Sequence, residues 1–351
     1  MKPAQLFPVL LVMLLATGCG KPTDSSETLV VHIGSGNWAA ANMKAYVEPF
    51  ERETGIRVTP VADDLKVAQL KLMDDADSVE IDVIDMPAIE AGRSAALGLL
   101  SPIDYSLFKE KELAGLRDET RRPWGVGALY YSIVLSSRGA GPQTWSDLWD
   151  TQRFPGARTL FTGEYGDGPW EEALLADGVP ADRLYPLDIE RAFRSLDRIR
   201  PSVKRWWRAG SEGQQLFRDD QVTLGEAYDG RIADLAARRP EIQFTYNQGK
   251  LLLDYWVIPR KARHRAAAQK FVELATRADR QAQFAQLIAY GPTNLGAYDL
   301  IPAERAARLP SHPDNLAKQF RLDAEWYLRK NEHGESNHET LIRRWQEWIL
   351  K

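Results

Sequence analysis

The chain carries one cysteine in 351 residues, Cys19, and five histidines. A lone cysteine excludes an internal disulfide, and with Cys19 modified no thiol remains for nucleophilic chemistry. The histidines (His32, His264, His312, His333 and His338) supply no H-E-x-x-H pair, and no G-x-S-x-G elbow is present. An exported hydrolase therefore lacks its usual signatures, and no catalytic residue is assigned. His333 and His338 stand five apart in an acidic stretch, where a solvated turn outweighs a metal pair. No metal and no cofactor is expected. The formal net charge is −4, with no basic footprint for a nucleic acid. Beyond the N-terminal segment no apolar run is long enough to span a bilayer. What remains has globular proportions and a length of about two domain-sized units.

The N-terminal segment is the most informative part. Lys2 precedes an apolar run over 6–16, and Leu15-Ala16-Thr17-Gly18-Cys19 closes it. That order reads as a secretory signal over 1–18 ending in a lipobox, with Cys19 as the acylated first residue of the mature chain. A membrane-spanning anchor is the alternative, but the run is short and Pro8 is poor helix interior. The polar residues of 19–27 suit a flexible tether. The expectation is an exported lipoprotein held to a membrane.

From residue 28 onward strands and helices alternate. Runs at 28–33, 56–62 and 81–85 read as strands, separated by helical spacing over 39–54 and 66–74, with Asn37 placed to cap the first helix. A helix over 89–100 follows. The stretch 124–137 is longer and β-rich, and a second such stretch covers 251–259. Between them lie a helix from a Thr144 cap, a strand at 158–162, helices at 170–176 and 189–199, a strand at 222–227 and a helix at 231–238. Helices occupy most of 265–350. This alternation predicts an α/β protein. Two long strands bracketing one α/β insert predict two lobes joined by paired crossovers, with a ligand site in the cleft between them. The expected division is 28–127 for the first lobe, 128–255 for the second, and 256–351 returning to the first with the C-terminal helices.

Five motifs in order carry a family resemblance. These are Gly36-Asn37-Trp38 after the first strand, Glu51-Arg52-Glu53-Thr54-Gly55-Ile56-Arg57-Val58, Tyr228-Asp229-Gly230, Asp254-Tyr255-Trp256-Val257-Ile258-Pro259 and Tyr290-Gly291-Pro292-Thr293-Asn294. Together they resemble the extracytoplasmic solute-binding proteins of ABC importers, in the branch that binds spermidine and putrescine. The resemblance implies a type II periplasmic-binding-protein fold of two α/β lobes that close on one small solute. It implies delivery of that solute to an ABC permease in the inner membrane, and with the lipobox the expectation is a periplasmic, membrane-anchored monomer.

A polyamine needs carboxylates for its ammonium groups and aromatic faces for its methylene stems. At the family's positions the chain offers Asn37 and Trp38, Glu164 and Asp167, Tyr228 and Asp229, Asp254, and Tyr290. For Trp38, Tyr228 and Tyr290 the competing role is packing. Asp254 stands in an apolar strand, so its charge needs either a ligand ammonium or an internal arginine. Glu164 and Asp167 flank Tyr165 in a glycine-rich loop, and solvated loop charges are the alternative. Asp229 either adds a carboxylate or caps the following helix.

The chain also departs from the polyamine pattern. Pro87 and Ile89 stand where that branch has a small hydroxyl residue and a tyrosine, and Leu252 stands where it has tryptophan. A shorter solute, or one bearing a carboxylate such as an amino acid or γ-aminobutyrate, is the alternative, with Arg231 or Arg208 as the anion partner. A tethered sensor presenting its ligand to a membrane receptor is a further alternative.

Overall fold

The computed structural model describes residues 28–62 and 65–351, so the expected signal segment, Cys19 and tether lie outside the described residues. The described strands are β1 Thr28–His32, β2 Arg57–Val61, β3 Ile84–Pro87, β4 Arg121–Arg122, β5 Gly125–Arg138, β6 Arg158–Phe161, β7 Val203–Trp207, β8 Leu224–Tyr228, β9 Ile242–Val257 and β10 Phe320–Arg321. β1 and β2 pair in parallel, and Val31 bridges to Val83 just ahead of β3. The remaining strands form one mixed sheet in the order β10-β9-β5-β8-β6-β7, with β3 on β9 and β4 on β5.

β5 and β9 run antiparallel through the centre of this sheet. Thirteen of the fourteen residues of β5 are buried, as a central strand covered on both faces requires. Two register shifts interrupt the pair, between Gly127 and Leu129 and between Ile133 and Leu135. Such irregularities bend a strand and sharpen its twist. β3 joins the β9 end near Val257, and β8 joins the β5 end near Ser137, so one pair of strands serves both lobes.

The first helical stretch is not one α-helix. It runs as Gly36–Asn42, a wider turn at Met43–Val47, and Glu48–Thr54. The Glu48 N–H reaches Met43 O, one residue further than in an α-helix. Pro49 has no N–H with which to continue the ordinary ladder. Gly34 and Gly36 both take positive φ and turn the chain early, so Ser35 holds the N-cap position and Asn37 falls inside the first turn.

Among the described residues the core falls into four clusters, two of them large. Tyr46, Phe50, Trp256, Phe271 and Phe284 pack beside the central strands. Trp145, Trp170 and Phe193 of the inserted segment form a second cluster. The C-terminal helix Asn337–Ile349 brings Leu341, Trp345 and Trp348 into that second cluster. The expected grouping placed this helix with the first lobe; its apolar face packs on the insert. Among the described residues no helix is long and apolar enough to cross a membrane.

Candidate functional site

A cleft of about 740 Å³ opens over the central strands, lined from both sides. That volume suits a small solute. Its aromatic wall begins at Gly34, where φ is +67° and a Cβ would lie 2.9 Å from the Trp38 ring. A residue with a side chain there would both strain the backbone and displace Trp38. Trp38 meets Tyr290 edge-on at 5.0 Å and Phe284 at 6.0 Å. Tyr131 meets Tyr228 at 5.4 Å, and Tyr228 meets Trp207 at 5.0 Å. Each ring is thus held by its neighbours rather than free to rotate.

Among the carboxylates that line the same cleft are Asp85 on β3, Asp167 in the glycine-rich loop, and Asp254 on β9. Asp85 and Asp254 are 6% and 7% exposed. The Tyr131 hydroxyl hydrogen-bonds to Asp254. Asp167 Oδ1 is buried without a hydrogen-bond partner among the described residues. Burial pushes the Asp167 carboxyl up to about 6, against the opposing pull of Lys250. A bound ammonium would supply the missing partner and draw the carboxyl back toward its charged form.

Positive potential comes from the insert. Arg231 stands in the first turn of the helix Asp229–Arg238 and lines the cleft. Its charge acts on both Tyr228 and Tyr290, and no carboxylate pairs with it among the described residues. Beside it, Ala209, Gly210 and Ser211 bring the start of the helix Gly210–Arg218 to the cleft. Ala209 has no side-chain oxygen to cap that helix, and its first amides carry partial positive charge. Gly210 makes the approach possible, because a Cβ there would lie 2.8 Å from Arg231 Nε and strike the Tyr228 ring. Arg208 is already committed, 2.6 Å from Glu164. At the mouth, Lys66 Nζ lies 4.3 Å over the Tyr165 ring and joins the two sides.

The sequence matches the family described as bacterial extracellular solute-binding protein over residues 45–311. The chain belongs to that family. It is 32% identical to the gamma-aminobutyric acid-binding protein of Pseudomonas aeruginosa, over 99% of this chain and 98% of the relative. The spermidine/putrescine-binding periplasmic protein of Salmonella typhimurium is 23% identical, over 79% of this chain and 82% of its own. A solved ABC transporter substrate-binding protein from Bradyrhizobium japonicum superposes with a TM-score of 0.85 at 31% identity, covering 92% of this chain and 99% of that one. The protein is thus a periplasmic solute-binding component of an ABC transporter, with a two-lobe binding fold and no enzymatic role.

Within this solute-binding fold the structure brings Trp38, Glu164, Asp167, Tyr228, Asp254 and Tyr290 into one cleft wall. It places Asn37 and Asp229 elsewhere. Asn37 is exposed on the first helical turn, beyond the wall. Asp229 is buried behind it, accepting from Ser132 N–H at 2.9 Å and Tyr246 OH at 3.2 Å. Burial pushes its carboxyl up to about 7, and its bonds hold the helix start to β5 and β9. Glu164 reaches the cleft with its charge already met by Arg208. Sequence reasoning passed over Asp85 and Tyr131. Asp85 stands inside β3, a carboxylate in an otherwise apolar strand, the same signal that marks Asp254. Tyr131 sits inside a long apolar strand and carries no such signal.

Proposed function

We propose that the protein captures a small zwitterion of the ω-amino acid class, such as γ-aminobutyrate, and delivers it to an ABC permease. In this reading it is anchored by a lipid on Cys19. The observation that carries the reading is the pairing of opposite charges in one cleft. Arg231, with no carboxylate partner among the described residues, and the Gly210–Arg218 helix start offer a seat for a carboxylate. Asp167 and Asp254 offer a seat for an ammonium. The tyrosine and tryptophan rings cover the methylenes between. A diamine has no group for Arg231 and would place a second cation beside it. Pro87, Ile89 and Leu252 line the cleft where the polyamine pattern has hydroxyl and aromatic groups. The 32% identical relative that binds γ-aminobutyrate supports the same choice.

Calorimetric titration with γ-aminobutyrate, putrescine and butyrate tests the reading, with recovery of unchanged ligand as a check on turnover. The amino acid should bind tightest. Putrescine binding more tightly than γ-aminobutyrate would return the protein to the polyamine branch.

A further inference from the structure

Behind the loop 163–169 lies a charge cluster that does not line the cleft. Lys250 on β9 is fully buried, as are Glu171 and Glu172. Its ammonium donates at 2.8 Å to Gly168 O and forms ion pairs at 2.8 Å with Glu171 Oε2 and at 3.0 Å with Glu172 Oε2. Glu171 Oε1 accepts from the Tyr185 and Tyr327 hydroxyls, both at 2.6 Å. Glu226, two residues before Tyr228, is also fully buried and accepts from Phe161 N–H at 2.5 Å. Burial pushes the Glu172 carboxyl up to about 7 and raises that of Glu226 as well.

Buried ion pairs are poor stabilising devices, since desolvation cancels most of their attraction and apolar replacements often serve as well. The cluster therefore needs another reason to exist. The contact to Gly168 O supplies one. Gly168 follows Asp167, and the loop that carries both is Gly-Glu-Tyr-Gly-Asp-Gly, a sequence with little stiffness of its own. It lies flat on large side chains. A Cβ at Gly166 would strike the His338 ring, and one at Gly168 would come 2.8 Å from the Trp170 ring. The His338 ring donates to Tyr165 O at 2.7 Å from the outer side. Lys250 holds the loop from the inner side.

We infer that Lys250 is a positioning residue for the ammonium end of the site, a buried peg that holds Gly168 and thereby sets Asp167 in the cleft. Only the choice of solute rests on the zwitterion reading; the pegging of the loop does not. Lys250→Met removes the peg. Lys250→Met with Glu171→Gln and Glu172→Gln removes it without leaving two unpaired carboxylates, and serves where the single variant does not fold. Hydrogen exchange of the ligand-free variants should quicken in 163–169 and remain as in the wild type elsewhere. Calorimetry should show γ-aminobutyrate weakened about tenfold, the loss of one charge-assisted bond, and butyrate unchanged. Unaltered exchange in 163–169, or equal weakening of both acids, overturns the inference. A wild type that binds the two acids equally overturns the zwitterion reading, while the exchange measurement still decides the peg.

Discussion

Replacing Arg231 with glutamine probes the carboxylate seat most directly. The guanidinium lines the cleft, acts on Tyr228 and Tyr290, and has no carboxylate partner among the described residues. A hydrogen bond to a charged group contributes about 1.5–3 kcal/mol net, so Arg231→Gln should weaken γ-aminobutyrate about tenfold to a hundredfold. The half-exposed position of Arg231 places the effect toward the lower end, because water screens part of the attraction. No ion pair is broken in the ligand-free protein, so its stability should change by less than about 0.5 kcal/mol. Putrescine, which has no carboxylate, should bind as well as before or better, since a like charge has gone. The assay is paired calorimetric titration with both ligands, plus melting of the ligand-free variant. Equal weakening of both ligands would show that Arg231 shapes the cleft rather than reading the carboxylate. A lowered melting point with unchanged affinity would place it in the scaffold. Either result refutes the reasoning.

Burial pushes the Asp167 carboxyl up to about 6. An ammonium binds the ionised form, so affinity should fall as pH drops through about 6, and Asp167→Asn should flatten that profile while weakening binding at pH 8; a flat wild-type profile from pH 5 to 8 counts against it. Stability responds with the opposite sign: the folded carboxyl sits above its unfolded value, so its contribution is full below about pH 4 and is lost as pH rises through about 6, a slope that Asp167→Asn should remove from the melting curves. Gly210→Ala sets a methyl against Tyr228 and Arg231; overpacking of about 1–3 kcal/mol should appear as lost γ-aminobutyrate affinity, and an unchanged dissociation constant would mean that the helix start yields freely. Cys19→Ser removes the proposed acyl acceptor, so fatty-acid labelling and detergent partitioning should both disappear; their persistence rules out this lipidation site.

The long strands and most helices were legible because their residues leave little choice. In β5 the run Ala-Leu-Tyr-Tyr-Ser-Ile-Val-Leu reads as a buried strand in any register. Thr144 and Asp147 form the capping box that their spacing announces. β7 was not legible, because Lys204 and Arg205 give Val203–Trp207 a polar face at the sheet edge. The helix Gly210–Arg218 opens Gly-Ser-Glu-Gly, which reads as loop, although its start helps build the site. β9 begins nine residues before the apolar run at Leu251, because Gln243, Asn247 and Gly249 mask a strand that pairing with β5 imposes. The acidic and aromatic parts of the cleft could be named from the motifs that carry the family likeness. The anion seat could be named only as an alternative, since nothing in the sequence shows that Arg208 is engaged by Glu164 while Arg231 is not. The Lys250 cluster joins residues distant in sequence and leaves no local pattern.

The two central strands do more than connect. Asp254 stands opposite Leu129 in their register, and Tyr131 stands opposite Leu252. The Tyr131–Asp254 contact therefore belongs to the pivot of any rotation between the lobes. Trp38 rides on the first lobe and Arg231 on the insert, so an opening motion carries them apart while the pivot stays whole. On the zwitterion reading proposed above, an incoming amine finds one of its partners already assembled, and the acid end finds its own only as the walls come together. Arrival is governed by one end of the solute and commitment by the other. A diamine and an amino acid are then admitted on similar terms, and they part company only at the step that shuts the door.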